Sequence, residues 1–139
     1  MAFRVFLNQD VLLDFTLKGN GYKRSRELLT WAVNGRIQAY VTPAVLQEAG
    51  RRLRQAYGAS RTRELLLALL ADVNVIDAGH SEMVSALHST MGERDDALSY
   101  YAALNHKLDY FITNDKELSA VAVPTLPVCT SEEFLTSNR

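Results

Sequence analysis

The chain has 139 residues, a hydrophobic fraction of 47% and a charged fraction of 22%, which are typical of one globular domain. Its formal net charge of −1 argues against a uniformly basic nucleic-acid-coating surface, although local basic groups remain. It contains no apolar run near the roughly 20 residues that cross a bilayer, so we expect no membrane segment.

The compartment follows from two further features. The first residues lack the long apolar segment and cleavage site of a signal peptide. The lone Cys129 has no partner for an internal disulfide, which fits a reducing environment. We therefore expect a cytoplasmic protein.

Five short apolar runs, rich in β-branched and aromatic residues, predict strands buried on both faces. They cover residues 3–7, 37–41, 73–77, 110–113 and 127–129. Longer segments with helical spacing lie between them. These are residues 22–34 before Gly35, a helix from Thr42-Pro43 to Tyr57, a second from about Ser60 to Leu70, residues 93–108, and a short helix after Thr130.

This alternation predicts an α/β fold. We expect residues 1–139 to form a single domain with a mostly parallel five-stranded sheet flanked by helices. In open α/β sheets, functional sites form beyond the carboxyl ends of the strands. Polar residues at those positions are therefore the first candidates for a site.

Acidic residues occupy these positions in four separate segments. Asp10 follows the first strand, and Glu48 lies in the helix opened by Thr42-Pro43. Asp96 falls in the first turn of the 93–108 helix, and Asp115 follows the strand at 110–113. Carboxylates at close range repel one another, and a hard cation such as Mg²⁺ or Mn²⁺ removes that repulsion.

Each of these acids also has a structural interpretation. Asp96 at a helix start is typical of a cap or a helix-dipole partner. Asp115 after a strand is typical of a turn, and Glu48 of a solvated helix face. Only their joint placement favours a metal site over these interpretations.

Basic residues are concentrated in one segment of the predicted helices. Residues 51–63 include five arginines and no acid. Arg51, Arg52 and Arg54 are the candidates to guide a nucleic-acid backbone, and a solvated helix face is the alternative.

Four short motifs occur in order along the chain. Residues 5–14 are similar to the strand and turn L-D-T-N-V-L-L-D, and residues 42–48 match an acidic motif that ends in glutamate. Residues 93–98 are similar to D-x-x-D-A-L, and residues 111–115 to I-T-x-D. With the tail at 128–135, these motifs resemble the PIN-domain family over nearly the whole chain, particularly the VapC-like toxins of toxin–antitoxin pairs.

The resemblance implies a Rossmann-like parallel sheet, dependence on Mg²⁺ or Mn²⁺, and endoribonuclease activity. It also implies an RNA substrate, a small antitoxin protein as partner, and commonly a homodimer. Several residues are then expected in the site. The catalytic set is Asp96, Asp115, Glu48 and Asp10, the metal-binding set is Asp96, Asp115, Glu48 and Asn8, and the supporting set is Thr113, Glu93 and Asn114.

The sequence departs from the family pattern at two positions. Asn8 stands where the first aspartate is usual, and Glu93 stands where the third motif usually begins with aspartate. Asparagine is neutral and cannot act as a base, so metal affinity should fall. Asp10 compensates only if the extended backbone continues through residue 10, because a turn at Gln9 would separate the two side chains.

These departures leave two alternatives open. The chain is either an active ribonuclease or a weakened PIN-like module that binds RNA or protein without cutting. A response-regulator receiver domain also collects aspartates at strand ends. The segment 8–10 lacks the receiver's acidic pair, and no lysine follows residue 116, which argues against that class.

Overall fold

The computed structural model describes residues 2–90 and 95–139. Within these residues, strands and helices alternate as predicted. The strands are β1 (Phe3–Leu7), β2 (Ile37–Val41), β3 (Val73–Val75), β4 (Tyr110–Ile112) and β5 (Val128–Cys129). The helices are α1 (Gln9–Thr16), α2 (Tyr22–Val33), α3 (Pro43–Leu70), α4 (His80–His88), α5 (Asp95–Asn105) and α6 (Ser131–Asn138), with a 3₁₀ helix at Lys116–Val121.

The five strands form one sheet in the order β3-β2-β1-β4-β5. Every pair in this sheet is parallel, which confirms the predicted α/β class. β1 lies at the centre, with Phe6 opposite Tyr40 on β2 and opposite Phe111 on β4. The carboxyl ends of all five strands therefore meet at one edge.

The core explains why the strand sequences are almost continuously apolar. Phe6 and Phe111 are fully buried and stack with ring centroids 4.6 Å apart. Trp31 is 6% exposed and belongs to the same core, and the Arg36 guanidinium covers its ring at 3.8 Å. Helices on both sides of a parallel sheet bury the central strand β1 and its neighbours, whereas the edge strand β3 keeps Asn74 and Val75 exposed.

The helix starts follow ordinary capping chemistry. The Thr42 hydroxyl accepts a hydrogen bond from the Val45 backbone N–H at 3.4 Å, and Pro43 occupies the first turn. At α6, Thr130 and Glu133 cap each other reciprocally. Thr42 therefore begins α3 directly where β2 ends.

The two helices predicted from Thr42-Pro43 to Tyr57 and from about Ser60 to Leu70 both lie within α3, which has a break between them. α3 runs through to Leu70, but Gly58 within it has φ 81° and ψ 172° and interrupts the helical path. The sequence predicted the break near residues 58–59 but did not predict α1 or α4. No helix among the described residues is long and apolar enough to span a membrane.

Candidate functional site

The centre of the sheet is a topological switch point. From β1 the chain builds β2 and β3 on one side, and later β4 and β5 on the other. Asn8 follows β1 and Thr113 follows β4, and the Asn8 backbone N–H donates to the Ile112 carbonyl at 3.1 Å. Ligands of open α/β sheets bind at such points.

The buried hydroxyl of Thr113 organises this edge. It donates to the Asp10 carboxylate, whose two oxygens both lie 3.2 Å away. It accepts from the Asn8 side-chain amide at 3.4 Å and from the Asp115 backbone N–H at 3.2 Å. Because a hydroxyl has a single proton to donate, Asn8 must turn its NH₂ group towards Thr113.

Asn8 is 3% exposed, and the other end of its amide, Oδ1, is buried with no hydrogen-bond partner among residues 2–90 and 95–139. An unsatisfied buried acceptor costs about 1–3 kcal/mol. A cation would satisfy this oxygen, because amide oxygens are ligands for hard divalent metals.

Asp10 reaches the same hydroxyl although the backbone turns. α1 begins at Gln9, with Asn8 in the extended conformation at its N-cap. The Asp10 carboxylate also accepts from the Asn114 backbone N–H at 2.7 Å. The expectation that a turn at Gln9 would separate Asn8 from Asp10 was therefore wrong, because Thr113 lies between them and contacts both.

The electrostatics of Asp10 reflect its enclosure. Burial raises the pKa of its carboxyl group above the ordinary 3.8. Hydrogen bonds from Asn114 and Thr113 oppose that rise, and the neighbouring Asp14 carboxylate adds to it. Asp10 is thus an acid held where its charge is not fully compensated.

Asp14, the last residue of the first motif, lies at the same edge but was not among the predicted site residues. The Asn114 side-chain amide donates to Asp14 at 3.2 Å, and the other end of that amide accepts from the Ser131 backbone N–H at 3.3 Å. Asn114 therefore connects α1, the segment after β4 and the start of α6. The four-residue spacing from Asp10 was the available signal, since it places both acids on one face of a helix.

Two glycines enclose the Asp14 carboxylate. A Cβ at Gly21 would lie 2.3 Å from Asp14 Oδ2, and a Cβ at Gly19 would lie 2.9 Å from Oδ1. Both distances are far below van der Waals contact. The segment between α1 and α2 approaches Asp14 this closely because it lacks side chains there.

A cavity of about 310 Å³ opens beside these acids. It is lined by Gln9, Asp10, Leu13, Asp14, Glu48 and Arg52. Glu48 is placed there by α3, and it accepts two hydrogen bonds from the Arg51 guanidinium. The structure therefore brings Glu48 and Asp10 to the wall of one cavity.

The other arginine candidates on α3 have different surroundings. Arg52 faces the cavity, whereas Arg51 is engaged with Glu48. The Arg54 guanidinium packs near Gly50, where a Cβ would approach it to 3.2 Å. Of the three, Arg52 is the one that lines the acidic cavity.

The remaining predicted residues lie around the same sheet edge. Asp96 is 6% exposed on the first turn of α5, one turn before Ser99, whose hydroxyl meets that of Thr42 at 2.9 Å. Asp115 caps the 3₁₀ helix by accepting from the Glu117 backbone N–H at 3.0 Å. Glu93 lies outside the described residues.

The donors at this edge are oxygens, which suit a hard cation. Within residues 2–90 and 95–139, no group of three carboxylate, imidazole or thiol side chains could hold a metal ion. Mg²⁺ commonly takes only one or two protein carboxylates and keeps several waters. The Asp10 carboxylate and the unsatisfied Asn8 oxygen fit that requirement as all-oxygen donors.

The fold and this acidic edge define a class of parallel α/β domain with a polar site at the switch point. The sequence model of the PIN domain matches residues 4–117, and the chain belongs to that family. Among curated proteins, no sequence matches the chain.

Three solved structures share the fold. VapC20 of Mycobacterium tuberculosis, described as a sarcin-ricin loop cleaving toxin, has a TM-score of 0.68 and 16% identity, covering 87% of this chain and 97% of its own. DNA-bound VapBC of Salmonella typhimurium has a TM-score of 0.67 and 14% identity, and the match covers 93% of this chain and 98% of the other. VapBC2 of Rickettsia felis bound to promoter DNA has a TM-score of 0.66 and 15% identity, and the match covers 92% of this chain and 98% of the other.

Proposed function

We propose that this PIN domain is a metal-dependent endoribonuclease and the toxin of a toxin–antitoxin pair. One observation carries the proposal. At the switch point of the sheet, the Asn8 side-chain NH₂ group and the Asp10 carboxylate both hydrogen-bond to the Thr113 hydroxyl, and the buried Oδ1 of Asn8 has no partner among residues 2–90 and 95–139. This is an acidic, oxygen-lined position suited to a hard cation.

Mg²⁺ or Mn²⁺ is the proposed cofactor. Asn8 and Asp10 would hold it directly, and Glu48, Asp96 and Asp115 would bind it through its waters, because no three acids of residues 2–90 and 95–139 are grouped closely enough to hold one ion. When bound, such an ion polarises a phosphoryl oxygen and lowers the pKa of water. Four of the five residues follow strands or begin helices, and Glu48 lies in the second turn of α3 on the wall of the cavity that Asp10 also lines, which supports a shared role.

The residues around the ion have separate tasks in this proposal. Thr113 and Asn114 hold the Asp10 carboxylate in one orientation through hydrogen bonds of 3.2 and 2.7 Å. Burial raises the pKa of Asp10 in the metal-free protein, and a bound cation would oppose that rise by stabilising the ionised carboxylate. Arg52 on the cavity wall supplies a positive charge for an RNA phosphate.

The partner is proposed from the similar structures. Those from Salmonella typhimurium and Rickettsia felis are VapBC assemblies, and another is a toxin–antitoxin complex from Klebsiella pneumoniae. We propose a small antitoxin protein for this chain, with action on RNA in the cytoplasm. A homodimer is a further proposal, for which Tyr57, 45% exposed, is an available contact residue.

Cleavage assays test the enzymatic proposal. Purified protein is incubated with structured RNA and Mn²⁺, with and without EDTA, beside the variants Asp10→Asn and Asp96→Asn. We expect EDTA and either variant to abolish cleavage. Glu64→Gln is the control, because it neutralises an exposed acid of α3 that pairs with Arg61. Cleavage that persists with EDTA or in Asp96→Asn refutes the proposal.

The second candidate is a PIN-like module that binds RNA or protein without cutting. Asn8 favours it, because a neutral residue replaces the family's usual first aspartate. Binding of RNA with equal affinity in Mn²⁺ and in EDTA, together with intact RNA after long incubation, would select this candidate. Mn²⁺-dependent turnover excludes it.

A further inference from the structure

The carboxylate of Glu48 is already engaged in the free protein. The Arg51 guanidinium, one turn along α3, donates from Nη2 to Oε1 at 2.6 Å and from Nε to Oε2 at 3.1 Å. Both carboxylate oxygens are therefore occupied by one planar fork. The hydrogen bonds from Arg51 also hold the pKa of Glu48 below its ordinary value.

This contact weakens the interaction of Glu48 with a metal ion. A cation that approaches Glu48 meets two carboxylate oxygens that each already accept a hydrogen bond from the positive guanidinium, which reduces their attraction for the ion. The guanidinium also places a positive charge beside a cavity whose acids, Asp10 and Asp14, would attract the ion. A paired Glu48 therefore lowers the affinity of the cavity for a divalent cation.

The ion pair between Arg51 and Glu48 can be replaced by other partners. The Arg51 and Glu48 side chains are 53% and 37% exposed, so solvent and ligands reach both. Exposed ion pairs of this type are weak, which means that a competing anion can replace the carboxylate. A phosphate offers a guanidinium the same two-point geometry as a carboxylate.

We propose that Arg51 is a latch on Glu48, which weakens metal binding in the acidic cavity of the free protein and is released when an RNA phosphate takes its guanidinium. The inference rests on the proposed function. It gives this site an order of assembly, in which RNA binding promotes metal binding and metal binding promotes RNA binding. Such coupling is reciprocal by thermodynamic necessity.

Mn²⁺ titration by calorimetry tests the latch without relying on cleavage. The proteins are the wild type, Arg51→Gln and Arg61→Gln, each with and without a 2′-O-methyl oligonucleotide that is checked to be intact after the titration. Arg61 is the matched control, because it forms an i,i+3 pair with Glu64 at 3.1 Å on the same helix, and both side chains are exposed at 60% and 65%.

We expect Arg51→Gln without RNA to bind Mn²⁺ about two- to fivefold more tightly than wild type, the range of an exposed ion pair. Arg61→Gln should match wild type. The oligonucleotide should tighten Mn²⁺ binding more in wild type than in Arg51→Gln, because the variant has no latch to release.

Two failures are distinguishable. If wild type binds Mn²⁺ and cuts RNA, but Arg51→Gln binds Mn²⁺ no more tightly than Arg61→Gln, the latch is wrong and the proposed function stands. If none of the three proteins binds Mn²⁺ under either condition, the metal-dependent function fails and the latch fails with it.

Discussion

The Asp10 carboxylate is an ionisable group that is largely buried in the protein. Thr113 and Asn114 donate to its carboxylate, yet burial raises its pKa above 3.8. The stabilising hydrogen bonds therefore do not fully offset the loss of solvation. Ionisation of this acid costs more than it would in water, unless a cation is present to share the charge.

The pH dependence of stability should reveal this. The folded protein holds the Asp10 proton at pH values where the unfolded chain has lost it, so the contribution of Asp10 is greatest below about pH 4. That contribution declines as the pH rises through the folded-state pKa. In metal-free buffer, we expect the unfolding free energy of wild type relative to Asp10→Asn to fall from about pH 3.5 to neutrality.

Urea unfolding of both proteins across this range measures the difference. Subtracting the variant removes the contributions of other carboxylates, such as Glu27, whose pKa is lowered by Arg139. A difference that increases with pH would mean that ionised Asp10 stabilises the fold by itself. The hydrogen bonds from Thr113 and Asn114 would then outweigh the effect of burial.

Among the elements, α3 connects the site to the far side of the domain. Its first half, opened by Thr42, places Glu48 and Arg52 at the cavity. Gly58 then bends the path with φ 81° and ψ 172°, a conformation open almost only to glycine. The Thr62 hydroxyl donates to the Gly58 carbonyl at 2.8 Å and secures the start of the second half.

Gly58→Ala should be destabilising because of this backbone conformation. A side chain there is strained even though no atom lies within 4 Å of the added Cβ. We expect a loss of about 1–3 kcal/mol in the free energy of unfolding, measured by urea denaturation.

Gly35→Asn is the control for that loss. Gly35 also has a positive φ of 75°, but it follows the end of α2, where asparagine tolerates the left-handed conformation. A loss in Gly58→Ala no larger than in Gly35→Asn would contradict the assigned strain.

The elements also show how far sequence reasoning extends. The strands were predictable because burial on both faces makes them continuously apolar, and the bounds of β1 and β2 match the prediction. The predicted ends of the later strands were too generous: β3 ends at Val75 and β4 at Ile112. The pairing between neighbouring strands ends at these residues although the sequence stays apolar beyond them. Composition alone does not show where strand pairing ends.

The missed parts have physical reasons as well. α1 begins directly after β1 at Asn8, which is a common N-cap residue type but makes no side-chain capping bond, and its eight residues are too few to show clear helical spacing. α4 is preceded by Gly79, whose N–H bonds to Glu82, rather than by a typical capping side chain. The hydrogen bonds that Thr113 forms with Asn8 and Asp10 depend on tertiary placement, which spacing along the chain does not encode.

At the scale of the whole molecule, the site exists only in the folded chain. The hydrogen bond from Thr113 to Asp10 joins residues 103 positions apart, and the bond from Asn114 to Asp14 joins residues 100 apart. An unfolded chain cannot assemble these donors. Any ion that binds here therefore binds the native state and stabilises it.

Mn²⁺ should raise the stability of the whole domain. At a free concentration 100 times the dissociation constant, linkage gives about 2.7 kcal/mol of added unfolding free energy. Thermal or urea unfolding with increasing Mn²⁺ measures this gain. We expect Asp10→Asn to lose most of it and Glu64→Gln to retain it, and equal gains in all three proteins would place the ion elsewhere.

The single proton of the Thr113 hydroxyl limits which pairs of residues can occupy positions 8 and 10. Reinstating aspartate at position 8 alone would bring two anions to a hydroxyl that serves one of them. Converting Asp10 to asparagine alone would leave the Thr113 hydroxyl with no anionic partner at positions 8 and 10. Positions 8 and 10 therefore depend on each other. The negative charge can move from position 10 to position 8 only if both residues change together, so that one accepts from the Thr113 hydroxyl and the other donates to it.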